Sequence, residues 1–185
     1  MIAGPSGVGK GSVVRRVLEL VPNLYLSVSA TTREPRASER SGQDYLFVSD
    51  EEFERMIADG ELLEWASVFG NRYGTPAEPI RRTLEGGRDA LLEIDVQGAE
   101  KVRSVMGDAV LILLQPPSLA ELGNRLRSRG TEDEGKIRMR LAEAERELAR
   151  RELFDHVVVN DDLDRASEQV AAIIASFPER TVPEA

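Results

Sequence analysis

The sequence contains no cysteine among its 185 residues, which excludes disulfides, thiolate metal sites and cysteine nucleophiles. It also lacks an excess of positive charge, since 24 Lys and Arg stand against 33 Asp and Glu, for a net charge of -9. We therefore expect no general attraction to nucleic acid, and any basic site must be a local cluster. Because there is no signal peptide and no apolar run of membrane-spanning length, we expect a cytoplasmic protein with no membrane partner.

Internal repeats and linkers rich in Gly, Pro or Ser are also missing. With 41% hydrophobic and 31% charged residues, the composition fits one globular domain large enough to bury a core. Strand-like and helix-like stretches alternate along the chain, which predicts an α/β fold with helices on both faces of a parallel sheet. We expect a single domain over residues 1–178, followed by a polar C-terminal tail at 179–185.

Apolar periodicity and capping signals predict the individual elements. Helices are predicted at 12–21, at 49–59, from Thr75 to about Gly86, from Ser118 onward, at 136–153 and at about 162–176. Strands are predicted at 24–31, 89–95, 109–115 and 156–160. These elements supply the sheet and its two helical layers.

A glycine-rich stretch begins at the fourth residue. Gly4, Pro5, Ser6, Gly7, Val8, Gly9 and Lys10 spell the GxxxxGK core of a phosphate-binding P-loop. Its glycines let backbone N–H groups turn around a phosphate, the following helix points its positive end there, and Lys10 can reach the terminal phosphates. A turn that merely joins two elements is the alternative, but GxxxxGK followed by a helical pattern is specific for a nucleotide.

The position after Lys10 departs from the usual motif. A Ser or Thr hydroxyl normally meets Mg²⁺ there, whereas this chain has Gly11 and carries its hydroxyl one residue later, at Ser12. We therefore expect Mg²⁺ to be held by the nucleotide phosphates and by water, with no direct ligand from the P-loop, and the sequence leaves open whether another residue binds it directly. Ser12 can donate to a phosphate or simply face the first turn of the helix.

Too few residues precede the P-loop to form a full strand. Only Met1, Ile2 and Ala3 stand before Gly4, so the strand that leads into the loop is expected to be truncated. Either the fold tolerates this stub, with a cost in stability, or Met1 is an internal methionine and the natural chain begins earlier.

Two arginine clusters can supply the positive charge that phosphoryl transfer requires. Arg33 and Arg36 follow the strand predicted at 24–31, at the edge of a parallel sheet where ligands bind. The second cluster contains Arg125 and Arg129 and continues to Arg140, across a polar, Gly-bounded stretch typical of a loop that closes over phosphates. For any single arginine, a solvated surface position is the alternative.

Taken in order, the motifs resemble those of the guanylate kinase family over almost the whole chain. The resemblance is carried by GPSGVGK, SVSATTREPR, GQDY, ELLEWA, NRYGT, LEIDVQG, RLRSRGTEDE and VVVNDDL. It implies a P-loop NTPase fold of three layers, with a small GMP-binding region at about 32–80 and a lid at about 127–138. It also implies transfer of the terminal phosphate of ATP to GMP, giving ADP and GDP, with Mg²⁺ as the cofactor.

The resemblance implies a phosphate clamp and a guanine reader on the GMP side. Arg33, Arg36, Tyr45 and Tyr73 look like ligands of the GMP phosphate, which suits forked guanidinium groups and neutral phenol donors. Glu64 resembles the residue that reads guanine. A carboxylate accepts from the adjacent N1–H and amino donors of guanine, whereas adenine presents an unprotonated N1.

Three further positions match the base-binding residues of the family, namely Ser29, Thr75 and Asp95. Each has a competing explanation in the sequence. Ser29 can be an ordinary polar residue at a strand end, and Thr75 is a good N-cap for the helix that follows. Asp95 closes a strand, where an acid often organises magnesium-bound water.

On the ATP side, the resemblance implies that Lys10, Arg125, Arg129 and Arg140 stabilise the transferring phosphoryl group. The P-loop residues would bind the ATP phosphates, and Asn160 stands where the family places its adenine-proximal loop, although a polar strand end also explains it. No general base is required, because the acceptor phosphate oxygen is already ionised.

Two other functions remain open at this point. A noncatalytic guanylate-kinase-like module would recognise protein ligands, but such modules have typically lost P-loop features that this chain retains. A P-loop kinase for another small acceptor should lack the combination of Glu64 and Tyr73. The sequence does not indicate an oligomeric state.

Overall fold

The computed structural model describes residues 1–37, 39–128 and 133–177. Within these ranges the strands are β1 (Ile2–Ala3), β2 (Tyr25–Leu26), β3 (Ala30–Thr31), β4 (Leu46–Phe47), β5 (Leu62–Val68), β6 (Asn71–Pro76), β7 (Ala90–Leu91), β8 (Ile112–Gln115) and β9 (His156–Val159). The helices are α1 (Lys10–Leu20), α2 (Asp50–Ala58), α3 (Ala77–Glu85), α4 (Val96–Val105), α5 (Leu119–Ser128), α6 (Glu134–Leu148) and α7 (Leu163–Ala175), with a 3-10 turn at Arg151–Leu153. None of these helices is both long enough and apolar enough to cross a bilayer.

The main sheet has the short strand β1 at its centre. β1 pairs in parallel with β8, and β8 pairs in parallel with β9. On the other side of β1, Ile2 exchanges backbone hydrogen bonds of 2.9 and 3.2 Å with Leu92 and Ile94, just beyond β7. β7 in turn pairs in parallel with β2, so the order across the sheet is β2, β7, β1, β8, β9. Both residues of β1 are fully buried, and the strand is only two residues long, as the three residues before Gly4 predict.

Helices cover both faces of the main sheet. Successive strand residues point to opposite faces, so Ile2 and Ile112 pack into one apolar cluster with α1 and α7. Ala3 and Leu113 pack into a second cluster with α3 and α4. The two clusters confirm the three-layer α/β fold.

A second sheet, which we call the small sheet, has the strand order β4, β3, β6, β5. β3 and β4 are parallel, whereas β6 runs antiparallel to both β3 and β5. Phe53 and Met56 of α2 pack against Ala30 of β3 and give this sheet a core of its own. β4, β5 and β6 fall within residues 32–80, which the resemblance predicts to form the GMP-binding region, whereas β3 lies just before it.

The structure divides two of the predicted elements. The strand predicted at 24–31 is two short strands in different sheets, because the chain crosses from the main sheet at Leu26 to the small sheet at Ala30. The helix predicted at 136–153 ends as α6 at Leu148, and a separate 3-10 turn leads the chain back toward β9. The β5–β6 hairpin has no counterpart among the predicted elements.

Candidate nucleotide-binding site

A cleft of about 930 Å³ lies between the P-loop, the small sheet and α6. Its walls bring together most of the predicted site residues, namely Gly4, Pro5, Ser6, Gly7, Gly9, Lys10, Gly11, Ser12, Ser29, Arg33, Arg36, Tyr45, Glu64, Tyr73, Asp95 and Arg140. Four others support the walls from behind: Val8, Thr75, Arg125 and Asn160. Arg129 lies outside the described residues.

The P-loop connects β1 to α1 through backbone that only glycine adopts easily. Gly4 has a φ of 152°, and a Cβ atom there would lie 2.2 Å from the carbonyl oxygen of Leu114. Gly9 has a φ of 99° and caps α1 without any side chain, and the first turn of α1 contains no acidic residue. The positive end of α1 is therefore directed at the cleft, and no carboxylate in its first turn neutralises it. This arrangement favours the binding of an anion.

Lys10 and Glu93 both line the cleft and lie close enough to interact electrostatically. The Lys10 ammonium donates to the carbonyl oxygen of Gly4 at 2.6 Å and to that of Pro5 at 3.4 Å. The carboxylate oxygens of Glu93 lie 3.6 and 3.7 Å from the point that a Cβ atom on Gly11 would occupy. Desolvation raises the pKa of Glu93, although Lys10 and Arg15 oppose the shift. Sequence reasoning missed Glu93, whose signal is a charged residue inside the apolar run LLEID.

Arg125 and Asn160 hold the P-loop from its outer side. The Asn160 side-chain amide donates to the carbonyl oxygen of Val8 at 2.8 Å, and Arg125 donates to the same oxygen at 3.3 Å. Arg125 also donates to the Asn160 carbonyl oxygen at 2.9 Å. These contacts fix the backbone of the P-loop, which is a different task from contacting a nucleotide directly.

The residues predicted to clamp the acceptor phosphate are assembled around Glu39. One Arg33 nitrogen donates to both Glu39 oxygens, at 2.8 and 2.9 Å, and the Arg36 backbone N–H donates to Glu39 at 2.7 Å. The Arg33 guanidinium lies 5.5 Å from the centroid of the Tyr45 ring, which is 6.0 Å from that of Tyr73. Desolvation opposes ionisation of Glu39, but the bonds from Arg33 and Arg36 outweigh it and lower its pKa. Glu39 was not predicted, because nothing local distinguishes it from a surface acid.

Glu64 and Thr75 form a buried polar pair on neighbouring strands. Glu64 is 7% exposed and Thr75 is fully buried. The Thr75 hydroxyl donates to the Glu64 carboxylate at 2.6 Å. Burial raises the pKa of Glu64 to about 7, against the lowering effect of the Thr75 bond. The helix-capping explanation for Thr75 is therefore wrong, since Pro76 occupies the N-cap of α3 and the Thr75 side chain turns to Glu64.

Asp95 and Gly98 bring the start of α4 against this pair. The Asp95 carboxylate caps α4 by accepting from the Gly98 N–H at 2.7 Å. A Cβ atom on Gly98 would lie 2.8 Å from a carboxylate oxygen of Glu64. The absence of a side chain at this position is what allows Glu64 to lie so close to the helix.

Comparison with known proteins gives a consistent result. The sequence model of the family described as guanylate kinase matches residues 1–177. The guanylate kinase of Rubrobacter xylanophilus is 51% identical over 174 residues, which cover 94% of this chain and 91% of that protein. The guanylate kinase of Rhodococcus jostii is 47% identical over 183 residues, covering 98% and 88%. The crystal structure of guanylate kinase from Anaplasma phagocytophilum superposes with a TM-score of 0.82 at 35% identity, covering 98% of this chain and 87% of that one.

Proposed function

Since the chain belongs to the guanylate kinase family and is an ATP:GMP phosphotransferase, we propose that it transfers the terminal phosphate of ATP to GMP inside the cleft described above. The observation that carries this proposal is that the P-loop with Lys10 and the pocket of Glu64 line one cleft. A donor phosphate and an acceptor nucleotide can therefore meet there. The cytoplasmic location expected from the sequence is part of the same proposal.

The GMP side is formed by the small sheet and the segment that follows β3. Arg33, Arg36, Tyr45 and Tyr73 bind the GMP phosphate in this proposal, and the phosphate takes over the guanidinium bonds that Glu39 holds. Glu64 accepts from guanine, and Thr75 keeps its carboxylate aligned. Ser29 and Asp95, which also line the cleft, complete the base pocket.

The ATP side is formed by the P-loop and α6. Backbone N–H groups at the start of α1 bind the phosphates, and Lys10 moves from the Gly4 carbonyl oxygen to the terminal phosphate. Arg140, whose guanidinium donates to the Ser6 hydroxyl at 2.6 Å, stabilises the transferring group. In the same proposal, Arg125 and Arg129 also stabilise the transferring group. Arg129 belongs to the predicted lid and lies outside the described residues.

The reaction requires positioning more than covalent chemistry. An ionised oxygen of the GMP phosphate forms a bond to the terminal phosphorus of ATP, the bond from that phosphorus to the bridging oxygen breaks, and ADP leaves. No protein base takes part because the attacking oxygen carries no proton. Closure of the walls excludes water, so that ATP is not hydrolysed instead.

Kinases act on ATP together with a divalent metal ion, and we propose Mg²⁺ for this protein. The donor set fits a hard cation, because the Glu93 carboxylate occupies the space beside Gly11 and the Ser12 hydroxyl follows. The described residues contain no cluster of three acidic or histidine side chains that could hold a metal alone. We propose that the ion is shared with phosphates and water. When bound, the ion neutralises charge that develops on the phosphates.

An assay for ADP release separates this function from its alternatives. Purified protein is given Mg-ATP with GMP, dGMP, AMP or UMP in turn, and turnover is expected with GMP far above AMP and UMP. Folded protein without turnover on any acceptor would overturn the proposal in favour of a binding module. Equal turnover of AMP and GMP would instead indicate a kinase for another acceptor.

A further inference from the structure

The β5–β6 hairpin turns through two residues, Phe69 and Gly70, with Val68 and Asn71 paired directly across the turn. Both turn residues have positive φ angles, 49° for Phe69 and 83° for Gly70. Positive φ at both positions is the requirement of a type I′ turn, whose first position strongly prefers Asn, Asp or Gly. A bulky aromatic residue is strained in this left-handed region. The turn therefore contains a side chain that its backbone disfavours.

Burial does not explain the presence of Phe69. The residue stays 46% exposed and lines the cleft, so nearly half of its surface remains in contact with water. The informative contact is the Arg140 guanidinium, which lies 4.9 Å from the centroid of the Phe69 ring. At this distance a cation is attracted to the face of an aromatic ring.

Arg140 connects the hairpin to the P-loop. The same guanidinium donates a hydrogen bond of 2.6 Å to the Ser6 hydroxyl. Phe69 belongs to the small sheet, Arg140 to α6 and Ser6 to the P-loop, so one side chain joins three walls of the cleft. The strands that end at this turn also carry Glu64 and Tyr73.

We infer that Phe69 is a positioning residue, which holds Arg140 in place for phosphoryl transfer and couples the approach of the small sheet to that placement. The inference rests on the proposed function, in which Arg140 stabilises the transferring group. An aromatic face attracts a guanidinium without accepting hydrogen bonds from its N–H groups. The ring therefore positions the guanidinium and does not itself compete with phosphate oxygens for those donors.

The variant Phe69→Asn separates this role from a structural one, because Asn suits the turn and lacks the ring. We expect kcat to fall roughly 3- to 10-fold, the range of a partly exposed cation–π contact, while KM for GMP stays within about 2-fold. The melting temperature should stay the same or rise, since the backbone strain at the positive φ of residue 69 is relieved.

Two control variants accompany this test. Phe69→Tyr should retain the kcat of the native chain, and Phe177→Leu, which alters another exposed aromatic residue, should leave kcat unchanged. Native kcat in Phe69→Asn would overturn the inference.

The variant Arg140→Met tests whether Phe69 acts through Arg140. In that background, Phe69→Asn should cause no further loss of kcat, because the group that the ring positions is gone. A further 3- to 10-fold loss there would overturn the inference and leave the proposed function standing. If Arg140→Met alone leaves kcat at the native value, the proposed role of Arg140 fails and the inference fails with it. The two failures are therefore distinguishable.

Discussion

Single residues in this site depend on partners in other structural elements. Glu64 is buried on β5 and is aligned by Thr75 on β6, and its pKa is raised to about 7 because burial disfavours the charged form. Asn160 uses its side-chain amide on the P-loop backbone. Substitutions at these positions should therefore separate recognition of the base from construction of the site.

The variant Glu64→Gln should lose most of its preference for guanine. Gln keeps the shape but presents an amino group to the donors of guanine, so a favourable pair of bonds becomes partly repulsive. We expect kcat/KM for GMP to fall by about 100-fold or more, while KM for ATP changes by less than about 2-fold. Steady-state assays with either substrate varied measure both values, and an equal loss toward ATP and GMP would contradict the base-reading role.

Recognition of GMP should depend on pH through the same carboxyl group. Glu64 is neutral below its pKa of about 7 and ionised above it, and only the ionised form accepts from both guanine donors. We therefore expect kcat/KM for GMP to rise through pH 7 and to fall by about tenfold per pH unit well below it. Glu64→Gln is the matched control, because it retains every other titrating group, GMP phosphate included. The same step in the variant would exclude Glu64 as its source.

Removal of the Asn160 amide should weaken the P-loop. Asn160 is 6% exposed and bonds to the Val8 carbonyl oxygen, so Asn160→Ala removes one of the donors to that oxygen. We expect a loss of about 1 to 3 kcal/mol in the free energy of unfolding, together with a raised KM for ATP. Urea denaturation measures the first, with Glu168→Ala at an exposed position on α7 as the control. An unchanged stability would show that Arg125 alone is sufficient.

At the scale of elements, the site is formed where the two sheets meet. The chain leaves the main sheet after β2 and enters the small sheet at β3, which places the arginine segment next to the P-loop. α4 begins directly behind the buried pair of Glu64 and Thr75, and its N-cap residue is Asp95. The close approach of α4 to β5 is therefore a determinant of where the Glu64 carboxylate lies.

The variant Gly98→Ala tests this approach. The added methyl group would lie 2.8 Å from the Glu64 carboxylate, so the carboxylate must shift, whereas Ala in a helix is favoured over Gly by about 1 kcal/mol. We expect KM for GMP to rise severalfold, with little loss in melting temperature. Ser104→Ala, at the far end of α4, is the control. A native KM for GMP in Gly98→Ala would show that Glu64 tolerates displacement.

At the scale of the whole molecule, binding of GMP should stabilise the fold. A ligand at 100 times its dissociation constant adds about 2.7 kcal/mol, which corresponds to a rise of roughly 5 to 10 °C in the melting temperature of a chain of this size. Calorimetry should show this rise with GMP and a much smaller one with AMP at the same concentration. In Glu64→Gln the rise with GMP should shrink to the size seen with AMP. Equal rises in the native chain would contradict guanine selection.

The main architecture could be predicted from the sequence because local residue patterns determine its strands and helices. Alternation of apolar strands with capped helices predicted three layers, and the three residues before Gly4 predicted the short β1 that the structure contains. The small sheet was less accessible. Its strands β3 and β4 have two residues each, too few for any period to be visible, and the 24–31 stretch hides the point where the chain changes sheets.

The chemistry of the protein was determined by the sequence itself. GxxxxGK binds phosphate through contiguous backbone N–H groups, so the motif predicts nucleotide binding from the sequence alone. The order of the motifs along the chain indicated the family. Only the tertiary structure decided which groups face each other. Ser6 and Arg140 are 134 residues apart, and the proximity of Glu93 to Gly11 and of Phe69 to Arg140 leaves no local signature. Each of these contacts exists because folding brings together residues that lie far apart in the sequence.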